Sequence, residues 1–256
     1  MQTKIRVGAV SYLNTKPLIY GFEKGLMKDD VELIIDYPSG IAQMLLENKI
    51  DLGLVPVAIL PELKQYEIIS DYCISCDGEV ASVCLFSDVP LDSIEKIMLD
   101  YQSRTSVELI KILAKKFWKI DPVFEDTSNG YQDRISGKTA ALVIGDRALY
   151  QRKKSPYIYD LGLEWKKFTG LPFVFAAWIA NKKFDATFVK SFNEVNGFGL
   201  ANLTEVAEKN QLEVFNIYKY YTSYISYHLD EEKRKGLDLF LGMLGTEKTA
   251  FKSISH

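Results

Sequence analysis

Residues 5–22 constrain the fold most, because three local structures follow one another there without a break. Apolar residues over 5–10 predict a short buried strand, and the polar residues 11–15 predict a turn. A helix then starts, with Thr15 as its predicted N-cap and Pro17 in its first turn, where the missing N–H costs nothing. Unpaired N–H groups at such a helix start favour anions. The segment therefore predicts an anion site, or else an ordinary connection that Asn14 only shapes.

The next residues repeat the alternation of strand and helix. Residues 31–37 alternate as a strand, Pro38 opens a helix, and residues 51–57 form a short apolar strand. This order predicts a parallel sheet with helices on both faces. Residues 80–86 predict a further strand, with Ser82 inside it.

Two lobes are predicted from the positions of these elements. The first α/β lobe comprises residues 1–86, and residues 87–177 form a second one. The C-terminal helices have no predicted sheet, so residues 178–256 are expected to pack back on the first lobe. The chain would cross between the lobes near Phe86 and near Val174, which makes a hinged cleft. Ligands in such folds bind between the lobes, at the carboxyl ends of strands.

Composition limits the classes of partner. The chain has 256 residues and a formal net charge of -3, which gives no reason to expect a nucleic-acid surface. No apolar run approaches the roughly 20 residues that span a bilayer. The N-terminal residues lead into the first strand without an apolar leader, so a cytoplasmic protein is expected.

Cysteines and histidines are few. Cys73, Cys76 and Cys84 are expected to be reduced structural thiols, because the C-x-x-C pair lies in an extended segment and lacks the partners of a zinc site. His228 and His256 give little support for a metal site or for a Ser-His-Asp mechanism. The sequence has no phosphate-binding or dinucleotide-binding glycine motif. No metal or other cofactor is therefore expected.

Polar residues stand at four predicted strand ends: residues 11–15, Ser82, residues 103–106, and Gly145 with Asp146. Hydroxyls and helix N-terminal amides donate hydrogen bonds to carboxylates without burying a full charge. The alternative is that Thr105 or Ser106 only caps a helix, and that Asp146 does the same instead of acting as a base. Arg104 would pair with a ligand carboxylate or stay solvated.

Several of these motifs occur together, in the same order, in a known family. The chain resembles the chorismate dehydratases of the futalosine route to menaquinone, and the resemblance is weakest after about residue 185. It rests on Val-Ser-Tyr-Leu-Asn-Thr-Lys-Pro-Leu at 10–18, Ser-Arg-Thr-Ser at 103–106, Leu-Val-Ile-Gly-Asp at 142–146, Asp-Leu-Gly at 160–162 with Trp165, and Thr-Gly-Leu-Pro-Phe-Val-Phe-Ala at 169–176. The sister enzyme of that route has a different N-terminal motif, built around Pro-Asn-Asp.

The resemblance implies an α/β, periplasmic-binding-protein-like fold of the type with two hinge crossings. It implies a cofactor-free lyase that removes water from chorismate, a dicarboxylate, to give 3-[(1-carboxyvinyl)oxy]benzoate, as a monomer or homodimer. Asn14 and Ser82 would lie at the reacting ring. The other residues expected to bind substrate are Ser11, Thr15, Ser103, Arg104, Thr105, Ser106, Gly145, Asp146 and Phe173.

Two other classes of protein are weighed against this one. A solute-binding protein or ligand sensor would share the fold without the chemistry. A transcriptional effector would need a helix-turn-helix and a basic face, and the sequence indicates neither.

Overall fold

The computed structural model describes residues 4–244. Residues 1–3 and 245–256 of the predicted first lobe, with His256 among them, lie outside the described part. Its strands are β1 Ile5–Val10, β2 Val31–Asp36, β3 Leu52–Pro56, β4 Glu67–Cys76, β5 Val83–Ser87, β6 Lys96–Leu99, β7 Val123–Asp126, β8 Thr139–Ile144, β9 Tyr157–Asp160, β10 Phe173–Ala180 and β11 Ser226–His228. Its helices are α1 Lys16–Glu23, α2 Pro38–Leu46, α3 Thr105–Ile112, α4 Asp146–Gln151, α5 Leu161–Thr169, α6 Ala186–Ala201, α7 Leu203–Lys209, α8 Ile217–Lys219 and α9 Glu231–Met243.

The first sheet has the strand order β11-β4-β10-β3-β1-β2 within the described residues. β1 lies parallel to β2 and β3, as the alternation of strand and helix predicts. β10 is antiparallel to both β3 and β4, and β11 is antiparallel to β4. The predicted parallel pairing is therefore confirmed for β1, β2 and β3, and the sheet is mixed because β10 returns from the second sheet and runs against its neighbours.

The second sheet has the order β7-β6-β8-β5-β9 over the same part of the chain. β6 lies parallel to β7 and β8, whereas β5 is antiparallel to β8 and β9. Two mixed sheets with helices around them make the two-lobed α/β fold that the sequence predicts.

The chain changes sheet at positions that differ from the predicted lobe limits. Because β5 belongs to the second sheet, the first change falls between Cys76 and Val83 and not near Phe86. β10 lies wholly in the first sheet, so the return falls between Asp160 and Phe173, where α5 makes the connection. Ser82 consequently precedes β5 instead of lying inside a strand.

The C-terminal part packs on the first sheet, as expected, and also adds β11 to it, which the sequence analysis missed. α6 approaches α1 so closely that a Cβ on Gly199 would lie 1.8 Å from the carbonyl oxygen of Pro17. Only glycine allows this contact. Asp230 caps α9 by accepting a hydrogen bond from the Lys233 N–H.

One apolar core extends across both sheets. Phe173 lies in it, with its ring against those of Trp165, Phe175 and Phe240. This environment favours a packing role for Phe173 over the predicted contact with substrate. The three cysteines are buried and free, as expected, and burial raises the pKa of Cys73 to about 12. In residues 4–244 no helix is long and apolar enough to cross a membrane.

Candidate active site between the two sheets

The turn that follows β1 contacts the second lobe directly. The Leu13 N–H donates to Oδ1 of Asp146, at 3.1 Å between nitrogen and oxygen. The ring of Tyr12 packs on Gly145, where a Cβ would lie 2.9 Å from the ring carbons. Gly145 also has a φ of +64°, which favours glycine. The predicted opposition of these two polar turns across the cleft is thus present in the structure.

Asp146 does not cap its own helix through its side chain. Its carboxylate instead accepts the hydrogen bond from Leu13 across the cleft. Burial raises the pKa of Asp146, although the Leu13 N–H and the charges of Lys16 and Arg147 act in the opposite direction. A carboxyl group that is costly to ionise thus stands where the two lobes meet.

Ser82 is fully buried beside the same contact. Its carbonyl accepts from the Gly145 N–H at 2.8 Å, and its Oγ accepts from the Tyr220 hydroxyl at 2.6 Å. The preceding residue, Ala81, has a φ of +63°, which is strained for a residue with a Cβ. Such strain is typical of functional sites and persists only where neighbouring contacts hold it.

Asp160 provides those contacts. Its carboxylate accepts from the N–H groups of Val80 at 3.0 Å and Ala81 at 2.7 Å, and also caps α5 through the Gly162 N–H at 3.1 Å. A Cβ on Gly162 would lie 2.4 Å from Cys76 Sγ, so glycine is required at this approach. The Asp-Leu-Gly motif therefore fixes the loop that presents Ser82.

Asn14 lies in the first turn and is half-buried. Its carbonyl oxygen accepts from the Tyr227 hydroxyl at 3.0 Å, and its Oδ1 accepts from the Thr15 hydroxyl at 3.4 Å. The expected side-chain cap by Thr15 is absent from α1, although Thr15 occupies the N-cap position. Ser11 is exposed at the edge of the turn, so its contact with substrate stays a prediction.

The turn at residues 103–106 faces a different part of the first lobe. Ser103 Oγ accepts from the Ser106 N–H in the first turn of α3, at 3.0 Å. Ser103 therefore provides the capping hydrogen bond that was expected from Thr105 or Ser106. Thr105 Oγ1 accepts from the Ala58 N–H at 3.2 Å. Arg104 pairs with Glu62 at 3.2 Å and is neither free nor simply solvated.

A cavity of about 500 Å³ lies beside this turn, between the lobes. Its walls include Ala58 and Glu62 from the first lobe and Asp100, Ser103 and Arg104 from the second. The volume suits a small organic molecule.

A buried charged cluster joins the two regions. Arg147 Nη2 lies 2.9 Å from both carboxylate oxygens of Asp100 and 2.7 Å from Gln102 Oε1. The Tyr12 hydroxyl donates to the same Gln102 oxygen. Arg147 Nη1 is buried and has no hydrogen-bond partner within residues 4–244. This cluster was not predicted from the sequence, because Asp100, Gln102 and Arg147 belong to none of the motifs recognised there and Arg147 is more than 40 residues from the other two.

Comparison with known proteins identifies the family. A family model described as menaquinone biosynthesis matches residues 5–246. The chain belongs to this menaquinone biosynthesis family. A curated chorismate dehydratase from Thermus thermophilus is 29% identical in an alignment that covers 93% of this chain and 94% of the relative.

Similarity to solved structures establishes the fold. A protein from Archaeoglobus fulgidus has a TM-score of 0.73 at 14% identity, covering 94% of this chain and 96% of its own. A Candida albicans protein described as having the generic periplasmic binding protein fold has a TM-score of 0.63 at 12% identity, with coverages of 98% and 92%. The fold of this family member is therefore periplasmic-binding-protein-like, as predicted.

The contacts that the tyrosine-rich stretch near the C-terminus makes with the candidate site were also not predicted from the sequence. Tyr220 and Tyr227 contact Ser82 and Asn14, as described above. The only sequence signal was the close spacing of tyrosines, which buried packing explains equally well. Within residues 4–244 no group of three or more His, Cys, Asp and Glu side chains is arranged to hold a metal ion.

Proposed function

We propose that the protein is a chorismate dehydratase, a lyase that eliminates water from chorismate to give 3-[(1-carboxyvinyl)oxy]benzoate without a cofactor. The observation that carries this proposal is the meeting of three motifs between the lobes. Leu13 in the Asn14 turn contacts Asp146, and Ser82 contacts Gly145. The Thermus thermophilus relative that bears the name covers almost the whole chain.

The charge of the substrate is consistent with the donors available. Chorismate carries two carboxylates, which neutral hydroxyls and backbone N–H groups stabilise by hydrogen bonds. The unpaired Nη1 of Arg147 is a further donor in this region. We assign one carboxylate to the hydroxyl-rich turn at residues 103–106, as the family resemblance implies.

The reaction needs a proton and a hydroxide to leave neighbouring ring carbons. The proton leaves the ring carbon that bears the ether, and the electron pair delocalises toward the ring carboxylate as a dienolate. The neighbouring C–O bond then breaks, the electrons complete an aromatic ring, and the hydroxide leaves with the released proton as water. Hydrogen bonds to the ring carboxylate stabilise the dienolate in the manner of an oxyanion site.

The proton acceptor in this proposal is the side-chain carboxylate of the substrate itself. A carboxylate held close to the proton gains a large effective concentration, so a strong protein base is not required. Asn14 and Ser82 then orient the substrate or assist the departure of hydroxide. Their side chains donate hydrogen bonds and are not bases near neutral pH.

The test is to mix the purified protein with chorismate, without added metal or nucleotide, and to follow the loss of diene absorbance. We expect conversion, with a product that is lighter by one water in mass spectrometry. Asn14→Ala is expected to lower kcat by about 100- to 1,000-fold, the usual cost of losing a preorganised donor. Ser93→Ala is the control, since the hydroxyl of Ser93 donates to its exposed neighbour Asp92.

Two results would contradict the proposal. A constant absorbance, combined with tight binding of another small acid, would favour the solute-binding alternative. An unchanged kcat for Asn14→Ala would remove Asn14 from the mechanism.

A further inference from the structure

The segment from Tyr220 to Tyr227, the tyrosine segment, reaches both of the residues that we assign to the reaction. It begins with a π-helical turn at Tyr220–Tyr224, a rare local structure that is frequent at functional sites. Its backbone then continues into β11 at the edge of the first sheet. Ser82, by contrast, precedes a strand of the second sheet.

Tyr220 makes the Ser82 hydroxyl a hydrogen-bond donor. Tyr220 is almost fully buried, and its hydroxyl donates to Ser82 Oγ at 2.6 Å. Burial raises the pKa of Tyr220, so its proton stays in place. A serine hydroxyl that accepts one hydrogen bond keeps its own hydrogen to donate. In the described residues the Ser82 hydroxyl donates this hydrogen to the Val80 carbonyl at 3.5 Å, which is a weak interaction.

Tyr227 holds the backbone of the other residue. Its buried hydroxyl donates to the carbonyl oxygen of Asn14 at 3.0 Å. This bond fixes the peptide from which the Asn14 side chain projects. It thus limits the rotation of a turn in which Asn14 is only half-buried.

Tyr221 carries a hydroxyl that no group of residues 4–244 uses. Its oxygen is buried and lacks a hydrogen-bond partner in the described residues. Burial, with smaller contributions from the charges of Asp146 and Glu23, raises the pKa of Tyr221. A buried hydroxyl without a partner is costly, because its hydrogen bonds to water are lost and not replaced. Contact with a bound polar molecule would remove that cost.

We propose that three residues of the tyrosine segment, Tyr220, Tyr221 and Tyr227, are part of the active site. Tyr220 and Tyr227 are positioning residues, which orient Ser82 and Asn14 respectively, and Tyr221 donates a hydrogen bond to the bound substrate. This inference rests on the proposed dehydratase function and extends it to a part of the chain where the family resemblance is weakest.

The experiment compares four tyrosine-to-phenylalanine variants, each of which removes one hydroxyl and keeps the ring. Tyr220→Phe is expected to lower kcat about tenfold with little change in KM, and Tyr227→Phe to lower kcat less. Tyr221→Phe is expected to raise KM severalfold, because it removes a contact with substrate. Tyr224→Phe is the matched control from the same turn, since its described contacts are made by its ring.

A double variant separates positioning from general stability. If Tyr220 acts through Ser82, Tyr220→Phe should have almost no further effect on kcat in the Ser82→Ala background. Thermal midpoints of all variants should stay within a few degrees of that of the original chain. Fully additive effects on kcat, or equal losses in Tyr224→Phe, would overturn the assignment.

The two proposals fail in different ways. If the original chain does not convert chorismate, the proposed function fails and this inference fails with it. If the original chain converts chorismate while Tyr220→Phe, Tyr221→Phe and Tyr227→Phe match it in kcat and KM, only the inference about the tyrosine segment fails.

Discussion

The turns at residues 11–15 and 103–106 both link the two lobes, but different atoms make the links. In the first turn a backbone N–H, that of Leu13, reaches the buried Asp146 carboxylate, and the Tyr12 hydroxyl adds a hydrogen bond to Gln102. In the second turn side chains make the contacts: Thr105 accepts from Ala58, and Arg104 pairs with Glu62. The first contact lies beside the residues assigned to chemistry, and the second lies beside a cavity.

The difference shows how similar sequence signals acquire different roles. A backbone donor is positioned by the fold itself, so it survives changes in side-chain rotamer. The half-exposed Arg104 is a flexible group whose ion pair is screened by solvent. We therefore expect the first turn to hold the reacting groups precisely and the second to bind substrate and adjust lobe closure.

The largest expected effect comes from the cluster that joins the two regions. Asp100→Ala leaves Arg147 without its carboxylate partner and also removes the acceptor for the Ile144 N–H at 3.0 Å. We expect a loss of about 3–5 kcal/mol in the free energy of unfolding, measured by urea denaturation. Asp88→Ala, at an exposed site, is the control. A loss below that of the control would mean that the two regions are not coupled through Asp100.

Thr105→Val tests the second turn alone. The substitution keeps the shape of the side chain but removes the acceptor for the Ala58 N–H. We expect a loss of about 1–3 kcal/mol in the free energy of unfolding, because that N–H is left unsatisfied. Thr105→Ser keeps the hydroxyl and should retain most of the stability. An accompanying rise in KM for chorismate would add a substrate contact to this structural role.

Asp146→Asn tests the first turn through its pH dependence. Because burial raises the pKa of Asp146 above its ordinary 3.8, the folded state holds the proton more tightly than the unfolded state. The free energy of unfolding therefore falls as the pH rises from that value through the folded-state pKa. The asparagine cannot ionise, and its amide oxygen still accepts from Leu13.

We expect Asp146→Asn to be more stable than the original chain near neutral pH, by about 0.5–2 kcal/mol, and to lose that advantage in acid. Urea unfolding across the acidic and neutral range measures the difference. The exposed Asp88→Asn is the control. A difference that grows in acid would contradict the direction that we assign to the pKa shift.

The smallest effect is expected at the Arg104–Glu62 pair. Arg104→Gln, Glu62→Gln and the double variant should give a coupling energy of about 0.2–1 kcal/mol in unfolding, because both side chains are partly exposed. If Arg104 also holds a substrate carboxylate, Arg104→Gln should raise KM more than Glu62→Gln does. Equal changes in KM would limit Arg104 to closure of the lobes.

Local sequence patterns predicted most of the individual elements. The strand, turn and proline-started helix of residues 5–22 were predicted correctly, since their signals lie within a few neighbouring residues. The first change of sheet differs from the predicted position near Phe86, because the partner of β5 depends on strands 50 residues or more away along the chain.

The candidate site also contains some features that the sequence predicted and others that it did not. The motifs around Asn14, Ser82 and Gly145 were recognisable from the sequence, because turn and helix-start chemistry requires particular residue types at fixed spacing. The ion pair of Asp100 with Arg147 and the contacts of Tyr220 and Tyr227 were not recognisable, since each pairs groups from distant parts of the chain. The sequence alone determined which short segments carry donors and where helices start. Only the tertiary structure decided which donors meet, because that depends on how two sheets pack against each other.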